Sequence, residues 1–233
     1  MDMQVWRSRL MSGQWFSHLP ESLQDSLLSA ARLRSLSPGQ RLFQRGDPPC
    51  GLYAVLEGAV RIGAVRIGAV NEQGKEALLS LVEQPHWFGE ICLFDGQART
   101  HDAFSLGECT LLHIPQTALL ALLDEQPVYW RQLALLMSQK LRLTFINLEQ
   151  LSLMPAPARL AHRLLMIADS YGELDPPRRV LQLPQDQLAS MLSLSRQTTN
   201  QLLKDLQGQG IVNLKYGEIE ILDAGRLRAL AIF

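Results

Sequence analysis

The hydrophobic pattern changes period along the chain. From Glu21 to Arg32 (ESLQDSLLSAAR), Leu23, Leu27, Leu28 and Ala31 recur at helical spacing behind Pro20, which predicts a short helix. From Arg32 to Ile114 the period shortens. Gly51–Glu57 (GLYAVLE), Glu76–Val82 and Glu108–Ile114 are short and rich in strand formers. They are punctuated by Pro38-Gly39, Gly46-Asp47-Pro48, Gly58 and Gly74. Short strands separated by glycine turns predict a β-roll or barrel. Gln116–Leu123 then predicts a short helix leading into a long one.

The long helical pattern runs from Pro127 to Met154. Trp130, Ala134, Met137, Leu141, Thr144, Leu148 and Leu151 fall at alternating spacings of four and three, a heptad seam. Met137, Leu141, Thr144, Leu148 and Leu151 are therefore the expected dimer contacts. Leu133, Leu136, Leu143 and Ile146 lie off the seam and are expected to pack on the helix's own domain. A buried core helix with chance heptads is the alternative. The length, the flanking Pro127 and Pro155, and the polar Thr144 on the seam favour a dimer shaft. Pro155-Ala156-Pro157 must end the helix, because each proline removes a donor and crowds the preceding turn. Ala158–Ser170 is expected to be the next helix, with Leu160, Leu164, Leu165, Ile167 and Ala168 inward, followed by a loop over Gly172–Arg179.

Pro184 to Lys204 carries the most specific pattern. It reads as helix, three-residue turn, helix, with Leu188, Leu192, Leu194, Thr199 and Leu202 inward and Ala189 at the helix crossing. Ser195 is placed to cap the second helix by accepting from Gln197 or Thr198. Arg196, Gln197, Asn200 and Gln201 line one exposed side, with Lys204 a turn further on. Arginine pairs bidentately with guanine, and glutamine or asparagine with adenine, so these types read base edges. Ile211–Lys215 and Glu218–Leu222 flank Tyr216-Gly217 and predict a small hairpin. An ordinary helix pair would lack this combination of cap, polar readers and trailing hairpin. The pattern predicts a DNA-reading face made of Ser195, Arg196, Gln197, Thr199, Asn200, Gln201 and Lys204. Ser193 stands in the turn where glycine is commonest.

Composition adds bounds. At 233 residues the chain suits two domains with a core in each, and a net charge of −1 does not itself point to nucleic acid. No apolar run is long enough to span a bilayer. The start, MDMQVWRSRLMSGQWF, has no signal-type hydrophobic segment, so a cytoplasmic protein is expected. Cys50, Cys92 and Cys109 are far apart and read as reduced, structural thiols. The histidines show no metal spacing and no nucleophile–base–acid arrangement is visible, so neither a metal site nor an enzyme is expected.

Gly89–Asp102 (GEICLFDGQARTHD) is the candidate sensor. Gly89 permits a tight turn. Glu90, Ile91 and Cys92 open a short helical segment whose free N–H groups can face an anion. Arg99 and Thr100 offer a guanidinium and a hydroxyl. An acid for sugar hydroxyls, an amide nest and an Arg–Thr pair for phosphate suit a ribose-phosphate ligand. A ligand-free Glu90–Arg99 salt bridge is the competing explanation.

The strands with G-E-x-x-L-x-x-x-x-x-R-T, the long helix and the S-R-Q-T-T-N helix together resemble the Crp/Fnr family of bacterial transcription regulators. The resemblance runs from about Trp15 to Asp223. It implies an α+β chain with a cyclic-nucleotide-binding-type β-roll (1–126), a long dimerisation helix (127–154) and a winged helix-turn-helix (155–233). It also implies a homodimer that binds a palindromic operator on double-stranded DNA, with RNA polymerase as a further partner. By the same resemblance, Glu90 would take the ribose 2′-hydroxyl, and Arg99 and Thr100 the cyclic phosphate of cAMP or another cyclic nucleotide. Thr144 matches the threonine that meets adenine in cAMP receptor proteins. Phe145, His101 and Asp102 depart from that pattern, as do Gln197 and Gln201 on the DNA side. An effector-independent regulator and a nucleotide-binding module acting on a protein partner remain alternatives, as does a redox or gas sensor. An iron–sulfur sensor of the Fnr type would use N-terminal cysteines, and Met1–Pro49 has none.

One feature is peculiar. Arg61–Val65 and Arg66–Val70 are both RIGAV. An odd insertion reverses the faces of a continuous strand, so the second copy is expected to lengthen or bulge a hairpin, with Gly63 and Gly68 permitting the bulge.

Overall fold

The computed structural model describes residues 3–66, 75–172 and 177–232. The chain divides into two compact units, Met1–Leu141 and Arg142–Phe233. The first opens with helices α1 (Met3–Leu10), α2 (Gln14–Ser17) and α3 (Glu21–Ala30). Strands β1 (Arg32–Leu36), β2 (Arg41–Phe43), β3 (Gly51–Glu57), β4 (Ala59–Arg66), β5 (Lys75–Glu83) and β6 (Trp87–Phe88) follow. Helix α4 (Ile91–Asp95), strands β7 (Asp102–Ser105) and β8 (Cys109–Pro115), and helix α5 (Gln116–Glu125) complete the roll. Helix α6 (Trp130–Leu153) starts after a 3₁₀ turn at Pro127–Tyr129, so the long helix begins three residues later than its apolar pattern.

The strands form two antiparallel sheets, ordered β1-β8-β3-β6 and β2-β7-β4-β5. Leu52 to Leu56 on β3 are all fully buried, and their alternation explains why. Leu52, Ala54 and Leu56 join a core shared with α1, α2, α3, α5 and the start of α6. Tyr53 and Val55 join the core between the two sheets. A strand covered on both faces reads as a continuous apolar run. Successive residues still go to different cores.

The N-terminal helices are anchored by aromatic packing. Trp15 meets Trp87 edge-on at 5.3 Å, Phe16 stacks on Trp87 at 5.6 Å, and Trp15 Nε1 donates to the Gln132 carbonyl at 2.7 Å. Helix α2 covers the roll through these long-range contacts, and α1 adds Trp6 and Leu10 to the same core. The off-seam expectation for α6 is met by Leu133 and Leu136, which are buried in the roll's core, whereas Ile146 is exposed.

The second unit holds the rest of α6, then α7 (Ala156–Ala168), β9 (Val180–Gln182), α8 (Gln185–Leu192), α9 (Arg196–Gly208), β10 (Val212–Lys215), β11 (Glu218–Ile221) and α10 (Ala224–Leu230). The sheet order is β10-β11-β9. In α7, Met166 is buried and Leu165 only half-buried, which corrects the inward set by one residue. Pro157 sits in the first turn of α7, where a missing N–H costs nothing. Both family features expected of the fold are present: an antiparallel roll and a winged helix-turn-helix.

The first RIGAV copy lies on β4. Val60 and Ile62 pack into the inter-sheet core, and the β4–β5 register shifts between Ile62 and Gly63. The bulge falls at the expected glycine, but the extra residue, Leu79, is on the partner strand. Within the second copy, Ile67–Val70 lie outside the described residues.

Gly51 starts β3 at φ +116°, and a Cβ there would lie 2.0 Å from the Ile114 carbonyl oxygen. Gly51→Ala is therefore expected to cost more than about 3 kcal/mol, combining left-handed strain with a backbone clash. Denaturant unfolding measures it. A midpoint equal to the parent's would show that the β3–β8 edge can shift freely.

Candidate functional site

Gly89 is at φ +102°, and a Cβ there would meet the Gly51 carbonyl oxygen at 2.7 Å. Only glycine lets the β6–α4 turn approach β3 this closely. The turn brings Glu90 and Arg99 inside the roll, where they are 2% and 4% exposed.

Each has its own set of partners. Lys140 on α6 donates from Nζ to Glu90 Oε2 at 2.6 Å. The Arg99 guanidinium donates through Nη1 to the Gly89 carbonyl at 2.9 Å and through Nη2 to the Gly51 carbonyl at 2.6 Å. Nη2 also reaches Cys50 Sγ at 3.0 Å, and Nη1 reaches Cys92 Sγ at 3.8 Å. The guanidinium lies over Phe43, 4.5 Å from the ring centroid, and further from Tyr53 at 5.9 Å. The competing salt bridge between Glu90 and Arg99 is thus replaced by two separate arrangements. Lys140 is a site residue the sequence reading missed: fifty positions separate it from Glu90, and no local pattern links them.

An aromatic floor supports Arg99. Tyr53 stacks on Phe88 at 5.4 Å and on His113 at 4.5 Å. Burial, and then the hydrogen bond to Cys50, push the Tyr53 phenol above its ordinary pKa. His113 Nε2 lies 2.7 Å from the Cys50 carbonyl. Burial lowers the pKa of that imidazole, against the opposing effect of this hydrogen bond.

Other expected effector residues are placed differently. Ile91 is 44% exposed, and Cys92 is buried beside Arg99. Thr100 is exposed, its hydroxyl 2.8 Å from His101 Nδ1, so it does not join Arg99 in one clamp. Thr144 lies in the second unit, exposed on α6.

In the second unit, Ser193 ends α8 in the left-handed region (φ 54°, ψ 38°), doing without glycine the job of the turn. The Thr198 N–H donates to Ser195 Oγ at 3.0 Å, so the cap selects Thr198 of the two expected donors. Thr199, Leu203 and Leu206 form the inner stripe of α9, and Leu202 is only half-buried. Thr199 is 0% exposed, which corrects its place on the DNA-reading face: this side chain is core. Arg196, Gln197, Asn200, Gln201 and Lys204 are all exposed. Gln201 Nε2 already donates to Asp205 at 2.9 Å. On the β10–β11 hairpin the exposed Lys215 pairs with Glu218 at 3.3 Å and Glu220 at 3.6 Å.

An antiparallel roll followed by a winged helix-turn-helix is the architecture of a DNA-binding regulator. Residues 33–126 match the model of the cyclic nucleotide-binding domain, and residues 158–230 match the Crp-like helix-turn-helix domain. The chain is 30% identical over 205 residues to the CRP-like cAMP-activated global transcriptional regulator of Mycobacterium tuberculosis, covering 85% of this chain and 89% of that protein. It is also 30% identical over 213 residues to the cyclic AMP receptor protein of Thermus thermophilus, covering 91% and 93%. A solved Crp/Fnr-family transcriptional regulator from Thermus thermophilus superposes with a TM-score of 0.66 at 28% identity, covering 86% and 98%. The chain belongs to the Crp/Fnr family of DNA-binding transcriptional regulators, which are not enzymes. Among the described residues, no helix is long and apolar enough to cross a membrane.

The Glu90–Lys140 pair is asymmetric, since the Glu90 side chain is 3% exposed and that of Lys140 35%. In a stability double-mutant cycle, Glu90→Gln and Lys140→Met should couple by about 1–3 kcal/mol, less than a fully buried pair because Lys140 stays partly solvated. Coupling near zero would mean that Glu90 is held by other groups.

Proposed function

We propose that the chain is a homodimeric regulator whose β-roll takes a cyclic nucleotide that sets its affinity for a palindromic operator. The observation that carries this reading is the burial of Glu90 and Arg99 around the Gly89 turn, inside the segment that matches a cyclic nucleotide-binding domain. Gly89, Glu90, Ile91, Cys92, Arg99 and Thr100 form the effector set. Arg99 would exchange backbone carbonyls for the phosphate, a stronger charge-assisted acceptor. The relatives named as cAMP-activated make cAMP the first effector to test. Segments 1–126, 127–154 and 155–233 act as sensor, shaft and DNA-binding domain, with RNA polymerase as the expected protein partner.

The dimer seam is read on α6. Leu141, Leu148 and Leu151 are 52%, 58% and 39% exposed, and Thr144 lies between them on the same stripe. Met137, half-buried, opens it. A row of exposed leucines at heptad spacing is costly to leave in water and fits a second copy of the same helix. Leu141→Glu with Leu148→Glu should give a monomer by sedimentation, with weakened operator binding. An intact dimer would move the interface elsewhere.

One observation favours an effector-independent regulator: protein groups already occupy Glu90 and both Nη atoms of Arg99. Calorimetric titration with a panel of cyclic mono- and dinucleotides separates the two readings. Heat with one nucleotide that disappears in Arg99→Ala supports gating; no heat across the panel supports the alternative.

Ser195, Arg196, Gln197, Asn200, Gln201 and Lys204 form the DNA-binding set, with Ser195 acting through its cap. Arg196→Ala should weaken cognate binding by about 1–3 kcal/mol and relax guanine preference at one position per half-site. Undiminished affinity and selectivity on a selected operator would remove Arg196 from that role.

A further inference from the structure

His113 and Arg99 share two neighbours, Tyr53 and Cys50. The imidazole stacks on Tyr53 at 4.5 Å with the ring planes 11° apart, and its Nε2 lies 2.7 Å from the Cys50 carbonyl oxygen. The guanidinium stands 5.9 Å from the centroid of the same Tyr53 ring and 3.0 Å from the Cys50 sulfur. Strand register sets this arrangement: His113 on β8 lies opposite Tyr53 of β3 on one side and Arg32 of β1 on the other. A carbonyl can only accept, so Nε2 carries the ring's hydrogen, and Nδ1 is the nitrogen left to take a second proton. The surroundings resist that proton. Burial holds the imidazole below its ordinary pKa, the Cys50 hydrogen bond opposes that effect, and the cations Arg34, Arg99 and Arg32 add to burial. The Tyr53 phenol brings no negative charge, because burial and its hydrogen bond to Cys50 keep it protonated.

We propose that His113 is a proton-linked member of the effector site: it takes a proton from solvent when an anion binds Arg99, so the ligand is held more tightly in acid. This rests on the reading of Arg99 as the phosphate-binding group of the effector pocket. A phosphate on Arg99 offsets the guanidinium charge that stands against an imidazolium. The positive field at His113 falls, and the ring protonates at a higher pH than in the free protein. Linkage is reciprocal: if the bound anion tightens the hold on the proton, the bound proton tightens the hold on the anion by the same factor. The sign follows. Affinity is flat above the titration of the ligand-bound ring, rises as pH falls through it, and levels off below that of the free ring. A histidine that only filled space beside Tyr53 would leave ligand and proton uncoupled.

The test titrates the full-length protein with cAMP and cyclic GMP by calorimetry across the histidine range, in buffers of different ionisation heat, which counts the protons taken up. Neither nucleotide changes charge across this range. The expected result is roughly threefold tighter binding at the acid end, with net proton uptake on binding. His113→Gln, which can still donate to the Cys50 carbonyl, should lose both effects. His101→Gln, beside Thr100, should keep them. Flat affinity with no uptake, or uptake that survives His113→Gln, overturns the proposal. If His113→Gln does not fold, NMR titration of the His113 ring in the parent replaces it: the midpoint should rise when the protein is saturated with nucleotide, and an unmoved midpoint overturns the proposal. If the parent binds neither nucleotide, the pocket reading fails alone, and the coupling is read from the ring titration of Arg99→Gln. There the midpoint should lie above the parent's; an equal midpoint overturns the link between His113 and Arg99.

Discussion

A buried guanidinium that pairs with no carboxylate among the described residues constrains the roll around it. Charged groups leave water at high cost unless hydrogen bonds replace the lost hydration. Arg99 meets that demand with the Gly89 and Gly51 carbonyls, a thiol and the faces of Phe43 and Tyr53. Each requirement constrains another part of the chain. The carbonyls come within reach only because Gly51 and Gly89 both take positive φ at a backbone approach that excludes a Cβ. The aromatic floor needs Tyr53 on the inner face of β3, which the two-core strand supplies.

The acid of the pocket is held independently. Glu90 pairs with Lys140, which α6 presents after its first three turns have packed Leu133 and Leu136 into the roll. The helix that carries the exposed leucines therefore also carries the lysine that pairs with Glu90. The DNA-binding unit uses simpler means: a side-chain cap at Ser195, a left-handed Ser193 and a three-residue inner stripe leave the polar side of α9 outward.

Much of this was legible in the sequence. The heptad seam, the strand run and the capped recognition helix are local periodicities, set by how each element divides its faces between core and water. The phase of α9 was less secure: Leu202 and Leu203 are adjacent, and either completes a helical stripe with Thr199. Packing chose Leu203, and in doing so it confirmed Thr199 as core and removed it from the DNA-reading face. Helix α2 escaped notice because its partners, Trp87 and Gln132, lie far along the chain, and α1 joins the same core only through Trp6 and Leu10.

The sequence by itself determined the strand-rich roll, the long helix and the helix-turn-helix with its hairpin, in that order, and singled out Gly89, Glu90 and Arg99 as candidates because they lie within one short segment. Only the tertiary structure decided what those groups touch. Lys140 meets Glu90 across fifty positions, and Cys50 meets Arg99 across forty-nine. No periodicity records such pairings, because they arise from how strands register and where a helix crosses them. A thiol that looked merely structural in the sequence is thereby a direct partner of Arg99.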